Sequence, residues 1–301
     1  MSSIGFVVFS SVFGLFFGSF AGATVWRLRA RQLVADKKAG DKVDARELKR
    51  LKPLAESTVR TDRSRCLQCG HSLAWYDLVP LVSWLSTRGK CRYCRHKIGW
   101  FEPAIELGTA ALFGLVSHWW ATTHVTQPFA LFVLWSIVMI GLVILFAYDL
   151  KWFLLPDAVV LPLIVIATII VAVDITQAPV KFAALADIGY SLVIMSGIYA
   201  VVYYYSRWRY GEENTWIGFG DVKLGVILGL LLGQWELAFL ALFLANSIGL
   251  IAVAPSLMKG KTGLKTRVPF GPLLISGFLI ALMWGQAIIN WYMSTMLLFV
   301  S

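Results

Sequence analysis

Eight long apolar runs dominate the chain and limit it to folds that a lipid bilayer accepts. They lie at about 4–26, 104–122, 128–148, 153–174, 184–205, 217–233, 235–255 and 270–298. A helix needs ~20 apolar residues to cross the bilayer core, and only helices or closed barrels satisfy their backbone there. The runs are continuous rather than alternating, which predicts helices instead of barrel strands. We therefore predict an all-α polytopic membrane protein with about eight transmembrane helices.

The sixth and first runs differ from the others in how clearly they predict a membrane span. The sixth is the weakest because it contains Asp221 and Lys223, so seven spans remain an alternative. The first, Ile4–Trp26, has no basic residue before it and no clear small-residue cleavage site. It therefore predicts a permanent first helix rather than a signal peptide.

The basic residues are concentrated in one segment. The net charge is +10, and 18 of the 27 Lys and Arg lie between Arg27 and Lys97. Because cytoplasmic loops carry an excess of Lys and Arg, this segment is expected in the cytoplasm and the N-terminus outside. Alternating spans then place Lys151, Arg207 and the basic loop 259–267 in the cytoplasm as well. This distribution favours contact with a lipid bilayer over nucleic-acid binding.

The same features predict three parts: a first transmembrane helix at 1–26, a cytoplasmic basic segment with a cysteine module at 27–102, and a seven-helix membrane domain at 103–301. Residues 27–65 hold 13 basic and six acidic residues. We expect them to form a partly helical or mobile charged segment near the membrane surface.

All four cysteines lie within 29 residues, as two C-x2-C pairs separated by 21 residues. They are Cys66, Cys69, Cys91 and Cys94. Two such pairs can complete a tetrahedral S4 site, which predicts structural zinc. Disulfides and unrelated thiols are the alternatives, and disulfides are rare in the cytoplasm. A nucleic-acid-binding zinc ribbon is disfavoured because the cysteines lie between membrane spans. His71 and His96 are expected to be surface residues rather than ligands.

Two aspartates stand at the ends of apolar runs. Asp149 follows Tyr148 at the end of the third run, and Asp221 ends the sequence Gly218-Phe219-Gly220-Asp221 in the sixth. Charges in spans are costly and mark function. Both positions fall near cytoplasmic helix ends, so packing would bring the carboxyls together. Two adjacent carboxyls share a proton and can activate water for peptide hydrolysis. The glycines before Asp221 allow a substrate strand or a neighbouring helix to approach closely.

Other interpretations of the aspartates remain open. They can be interfacial helix caps, or partners of Lys151 and Lys223. Asp157 suits the N-terminus of the fourth span electrostatically and receives a supporting role. A transporter with an accessory zinc module is a further hypothesis, because membrane carboxylates also serve proton relays. It predicts carboxylates near mid-bilayer, whereas Asp149 and Asp221 are expected near one face.

Several motifs, in order along the chain, resemble the bacterial prepilin leader peptidases of type IV pili and type II secretion. These are GSFAGATVWRLR (18–29), the cysteine segment through EPAIEL (66–107), YDLKWFLLPD (148–157), GFGDVKL (218–224) and VPFGPLL (268–274). In this family Leu-Asn usually follows GSF and Pro often follows the first cysteine, whereas this chain has Ala21-Gly22 and Leu67. Presenilin-type proteases share the Tyr-Asp and GxGD motifs, but their Pro-Ala-Leu motif does not occur here.

The resemblance implies a membrane aspartic endopeptidase of the bacterial inner membrane, acting on the cytoplasmic side. It would cleave the basic leader of prepilins or pseudopilins, and many such enzymes also N-methylate the new terminus with S-adenosylmethionine. Asp149 and Asp221 would be catalytic, and the four cysteines would bind zinc. The supporting residues would be Gly218, Gly220, Lys223, Asp157 and Glu106. The methyl-donor residues are not assigned.

Overall fold

The structure is a computed structural model that describes residues 3–56, 63–124, 127–211, 215–258 and 268–300. Regular structure in this part of the chain is helical, apart from two isolated β-bridges in the cysteine segment. The all-α prediction is confirmed. The chain forms two compact units, Met1–Gln127 and Pro128–Ser301. The predicted division into 1–26, 27–102 and 103–301 separates segments by function and stays a prediction.

The first unit contains α1 (Ser3–Ala39), α2 (Ala45–Ala55), α3 (Val82–Ser86) and α4 (Phe101–Thr123). α1 and α4 pack closely because α1 carries glycine where their backbones meet. A Cβ at Gly14 would lie 2.8 Å from the Cα of Ala110, and one at Gly18 would lie 2.6 Å from the Cα of Glu106. Small residues of this kind let membrane helices approach each other.

The charged segment after the first apolar run contains a folded helix pair. α1 continues to Ala39, beyond the predicted end at 26. Asp44 begins α2 by accepting hydrogen bonds from the N–H groups of Arg46 and Glu47, which satisfies donors that the helix leaves free. One apolar face of α2 is buried against α1, through Leu48, Leu51 and Leu54 on α2 and Ala30 and Leu33 on α1. This part of the predicted charge run is therefore a packed amphipathic helix.

The described residues of the second unit form seven α-helices. They are α5 (Phe129–Trp152), α6 (Asp157–Gln177), α7 (Lys181–Leu192), α8 (Ile198–Tyr210), α9 (Phe219–Leu232), α10 (Trp235–Met258) and α11 (Phe270–Val300). A π-helical turn, Val193–Gly197, joins α7 directly to α8. α9 is central, in contact with α6, α7, α8, α10 and α11.

Close contacts fix α9 against the α7–α8 segment. The Ser191 hydroxyl donates to the Gly229 carbonyl at 2.7 Å, and the Ser196 hydroxyl donates to the Val222 carbonyl at 2.9 Å. A Cβ at Gly229 would lie 3.1 Å from the Ser191 carbonyl oxygen. Because glycine and serine occupy these positions, a helix that carries Asp221 can lie deep inside the unit.

All eight predicted apolar runs are helical, and six helical segments of the described chain are long and apolar enough to cross a membrane. These are Ile4–Ala39, Phe129–Trp152, Asp157–Gln177, Lys181–Tyr210, Trp235–Pro255 and Phe270–Met296. α4 and α9 are helices at the predicted places but are not among the six. α9 has 14 residues, about 21 Å of helix, which is shorter than the ~30 Å bilayer core. The predicted cytoplasmic loop 259–267 lies outside the described residues.

Candidate active site and cysteine module

Asp149 lies in the last turn of α5 and is buried. The backbone N–H of Gly271, in the first turn of α11, donates to its Oδ2 at 2.9 Å. A Cβ at Gly271 would lie 2.9 Å from the same oxygen. Only glycine therefore allows the α11 backbone to come this close, and the carboxyl is held from a position 122 residues away.

Asp221 lies in the first turn of α9 and is half-buried. The Gly218 N–H donates to its Oδ2 at 3.3 Å, so the carboxyl also closes the helix start, as the capping interpretation predicted. Gly220 brings this turn close to the segment before α6, because a Cβ there would lie 3.0 Å from the Cβ of Leu155. The glycines of the GxGD sequence thus have distinct structural roles.

The structure brings the two carboxyls together in the second unit. Asp149 is close enough to Asp221 for its charge to act on that carboxyl. Each carboxyl has its Oδ2 held by one backbone N–H. Two neighbouring carboxyls in a shielded site favour one shared proton over two full charges. The arrangement can therefore supply one general base and one general acid.

Of the two lysines near this pair, Lys223 has its carboxylate partner outside it. Lys223 Nζ donates to Asp157 Oδ1 at 2.7 Å, which ties the first turn of α9 to the first turn of α6. Lys151 Nζ lies 5.4 Å from the centre of the Trp152 ring. Asp157 and Lys223 thus join the helix that carries Asp221 to α6, and their supporting role in the site stays a prediction.

Gly271 is a site residue that the sequence interpretation missed. It belongs to the VPFGPLL segment that carried the resemblance, but no role was assigned to it. The signal in the sequence is a glycine in the first turn of a helix, immediately before Pro272. A glycine there is consistent with a close approach, but nothing in the sequence identifies Asp149 as its partner.

The four cysteine sulfurs meet in the first unit, as predicted. Their Sγ atoms all lie within 4.8 Å of one another, and those of Cys66 and Cys94 are 3.9 Å apart. All four thiols are free. Tetrahedral coordination with Zn–S bonds of ~2.3 Å places sulfurs about 3.8 Å apart. The cluster therefore fits a single metal ion, and the disulfide alternative does not describe it. His71 and His96 are not part of the cluster.

The two C-x2-C knuckles have the same backbone hydrogen bonds. The Cys66 N–H donates to the His71 carbonyl at 3.0 Å, and the Cys91 N–H donates to the His96 carbonyl at 2.8 Å. The fourth residue after each first cysteine has a positive φ, +72° at Gly70 and +59° at Arg95. The knuckles are thus two copies of one turn.

Asp77 connects the second knuckle to the segment between the pairs, a role that the sequence interpretation missed. Its Oδ1 accepts from Arg92 Nε at 2.9 Å, and its Oδ2 accepts from the Tyr93 hydroxyl at 2.9 Å and the Ala74 N–H at 3.2 Å. Burial opposes ionisation of Asp77, but the Arg92 and Tyr93 hydrogen bonds hold its pKa below the ordinary value. Its sequence neighbours gave no signal of this role.

Local electrostatics prepare Cys91 for metal binding. Burial raises the pKa of the Cys91 thiol, but N–H groups of Cys94 and Tyr93 donate to its sulfur, and the net effect lowers this pKa to about 7. Backbone donors thus stabilise a thiolate, which is the form that binds metal. For Cys66, burial dominates and raises the pKa to about 12, so metal binding there must displace a proton.

Glu106, on α4, anchors the cysteine segment to α4 and α1. It is buried, its Oε2 accepts from the Leu81 N–H at 2.8 Å, and it interacts with the Ser19 side chain of α1. Leu81 has a positive φ of +57°, so this hydrogen bond helps to fix an unusual turn. Its position gives Glu106 a structural role within the first unit.

Both halves of the chain match family models. Residues 12–120 match the bacterial peptidase A24 N-terminal domain, which includes the four cysteines and Glu106. Residues 136–254 match the type IV leader peptidase family, and this range includes Asp149 and Asp221. Gly271 lies outside both matched ranges.

The chain is also similar along its length to curated proteins. It is 31% identical over 301 residues to the prepilin leader peptidase/N-methyltransferase of Stutzerimonas stutzeri, covering 96% of this chain and 94% of that protein. It is 31% identical over 294 residues to the Pseudomonas aeruginosa protein of the same name, with the same coverage. The Bacillus subtilis protein of that name is 28% identical over 234 residues, covering 76% of this chain and 85% of that protein. No solved structure matches the chain.

Proposed function

The chain belongs to the type IV leader peptidase family, and we propose that it is a membrane aspartic endopeptidase that cleaves the basic leader of type IV prepilins or pseudopilins. The observation that carries this proposal is the carboxyl pair, Asp149 and Asp221, each held by a backbone N–H. The names of the relatives support the choice of substrate and a second activity, N-methylation of the new terminus.

In the proposed reaction one carboxyl is ionised and the other is protonated. The ionised carboxylate removes a proton from a water molecule, whose oxygen attacks the scissile carbonyl carbon. The protonated carboxyl gives its proton to the carbonyl oxygen, and the tetrahedral intermediate forms. When it collapses, the C–N bond breaks, the proton taken from water passes to the leaving amine, and one hydroxyl of the intermediate returns a proton to the carboxylate that acted as the acid, so the pair regains its shared proton. The backbone N–H groups of Gly271 and Gly218 keep both carboxyls in position throughout.

We propose zinc as the ion of the cysteine cluster, held by Cys66, Cys69, Cys91 and Cys94. Four thiolates leave no open coordination position, so zinc would cross-link the two knuckles and take no part in hydrolysis.

The methyl donor of the proposed second activity is S-adenosylmethionine. A cavity of about 480 Å³ lies between α2 and the first knuckle. Four cationic side chains line it, Arg46, Lys49, Arg50 and Arg65. They would repel the sulfonium of the donor, so we do not place it there.

We propose a multi-pass location in the bacterial inner membrane, with the N-terminus outside and the active site near the cytoplasmic face. The Lys and Arg distribution supports this orientation. The prepilin leader is basic and precedes an apolar helix, so that helix would lie in the bilayer while the cleavage point reaches the carboxyls.

The test is a prepilin cleavage assay in membranes, with the product read by mass spectrometry. We expect Asp149→Asn and Asp221→Asn each to lower kcat/KM at least about 1000-fold, because the pair loses either its base or its shared proton. A wild-type product heavier by one methyl group would support the second activity. Gly189→Ala is the matched control, since its added Cβ meets nothing within 4 Å. Cleavage that survives in both folded Asn variants would refute the assignment.

A further inference from the structure

Tyr199 carries a buried hydroxyl that no described protein group satisfies. The residue lies at the start of α8 and is 5% exposed. Its hydroxyl approaches the side chain of Asn246 on α10 without forming a hydrogen bond of proper geometry, and the Asn246 amide donates instead to the Leu242 carbonyl at 2.8 Å. Leaving a hydroxyl unpaired in an apolar setting costs free energy. A phenylalanine at this position would avoid that cost. The hydroxyl therefore indicates a role other than stabilising the fold.

The surroundings of Tyr199 are those of the carboxyl pair. Its hydroxyl is close enough to Asp221 for the carboxylate charge to act on it. Its ring packs edge to face on Phe270 at a centroid distance of 5.2 Å. The residue after Phe270 is Gly271, whose N–H holds Asp149. Tyr199 thus lies near Asp221 and packs on the residue that precedes Gly271.

The backbone before Tyr199 is irregular and firmly attached to α9. The π-helical turn Val193–Gly197 ends two residues earlier, and such turns are frequent at functional sites. Within it, Ser196 donates to the carbonyl of Val222, the residue after Asp221. The position of Tyr199 relative to the carboxyl is therefore fixed by direct contact between the two helices.

We propose that Tyr199 is a catalytic residue whose hydroxyl donates a hydrogen bond to the scissile carbonyl oxygen beside the carboxyl pair. This inference rests on the proposed peptidase function. The carbonyl oxygen gains negative charge as water attacks, so a preorganised donor stabilises the transition state more than the bound substrate. Tyr199 keeps its proton, and the protonated carboxyl remains the acid that transfers one. The hydroxyl finds its hydrogen-bond partner when the peptide is bound.

The test is Tyr199→Phe, which removes the hydroxyl and keeps the ring on Phe270. We expect kcat for prepilin cleavage to fall about 10- to 100-fold with KM changed less than about twofold. The thermal unfolding midpoint should stay the same or rise, because the variant no longer buries an unpaired hydroxyl. The pH profile of kcat/KM should keep its shape, since the substitution leaves the carboxyl pair in place.

The matched control is Tyr204→Phe on the same helix, where the side chain is 56% exposed and wild-type kcat is expected. Asn246→Ala tests whether Tyr199 acts by way of Asn246, and this variant should also keep the wild-type kcat. The inference is overturned if Tyr199→Phe cleaves at the wild-type rate, if its lost activity accompanies a lowered unfolding midpoint, or if Asn246→Ala shows the same loss. If wild type itself cleaves no prepilin, the proposed function fails first and this inference falls with it.

Discussion

The cysteine module and the carboxyl site are built in opposite ways. The four sulfurs come from residues 66–94, and the turns that present them are closed by hydrogen bonds inside each knuckle. The two carboxyls are 72 positions apart in sequence, and one of them is held by Gly271, a further 50 positions on. A local pattern therefore specifies the first site, whereas helix packing assembles the second.

The difference predicts how each site fails. The cysteine module should be sensitive to its own ligands and turn residues. The carboxyl site should be sensitive to small residues on other helices, because those residues control how closely the helices approach.

Cys91→Ser should lower the metal affinity of the module at least about 100-fold, because it removes one of the four thiolates that would hold the ion. The measurement is the amount of zinc bound per molecule of the purified protein. Asp149→Asn is the control and should keep its full metal content, since its side chain belongs to the second unit. Full metal content in Cys91→Ser would contradict the S4 assignment.

Gly271→Ala should lower kcat/KM for prepilin cleavage about 10- to 100-fold. The new Cβ would lie 2.9 Å from Asp149 Oδ2, so the carboxyl or the start of α11 must shift, and small displacements of catalytic groups are costly. Kinetics of the purified enzyme give the result. Metal content should not change. If Gly271→Ala matches the Gly189→Ala control, close packing at Asp149 does not matter to the reaction.

Asp77→Asn should destabilise the cysteine module by about 1 kcal/mol at neutral pH. Its folded pKa lies below the ordinary 3.8. The stabilisation from the ionised carboxylate is therefore complete above pH 3.8 and is lost as the pH falls through the folded value. Amide hydrogen-exchange protection in residues 63–98 measures the effect. The difference between wild type and variant should shrink in acid, and a constant difference would exclude an ionic role.

Arg95→Gly should stabilise the second knuckle by about 0.5–1 kcal/mol, because φ is +59° there and glycine adopts that conformation without strain. Gly70→Ala is the reverse change in the first knuckle and should destabilise it by a similar amount. The rate of zinc release to a chelator compares the two. Equal rates in both variants and wild type would show that this turn does not limit metal retention.

Much of the fold could be predicted because it depends on features that short segments carry. All eight apolar runs are helices, and the cysteine spacing predicted the cluster. The short length of α9 was not predicted, because hydropathy does not show that the helix begins after Gly218 and ends before Gly233. The helix pair formed by α1 and α2 was expected only as a partly helical or mobile segment.

Only those residues of the site that carry a local sequence signal could be predicted. Asp149 and Asp221 stood out as charges within apolar runs, and the Asp157–Lys223 pair involves residues already singled out. Gly271, Asp77 and Tyr199 did not stand out. Their roles come from partners on other segments: a carboxyl on α5, a knuckle 15 residues away, and an unpaired hydroxyl near Asp221.

The sequence by itself determined the helical membrane fold, the metal-binding spacing and the two aspartates that are candidates for catalysis. These depend on hydropathy, ligand type and the cost of charge in lipid, which act over single residues or short segments. Only the tertiary structure decided that α9 lies at the centre of its unit, that Gly271 holds Asp149 and that the Tyr199 ring packs on Phe270, the residue before Gly271. Such contacts depend on the fit between helix surfaces far apart in sequence, and no short segment encodes that fit.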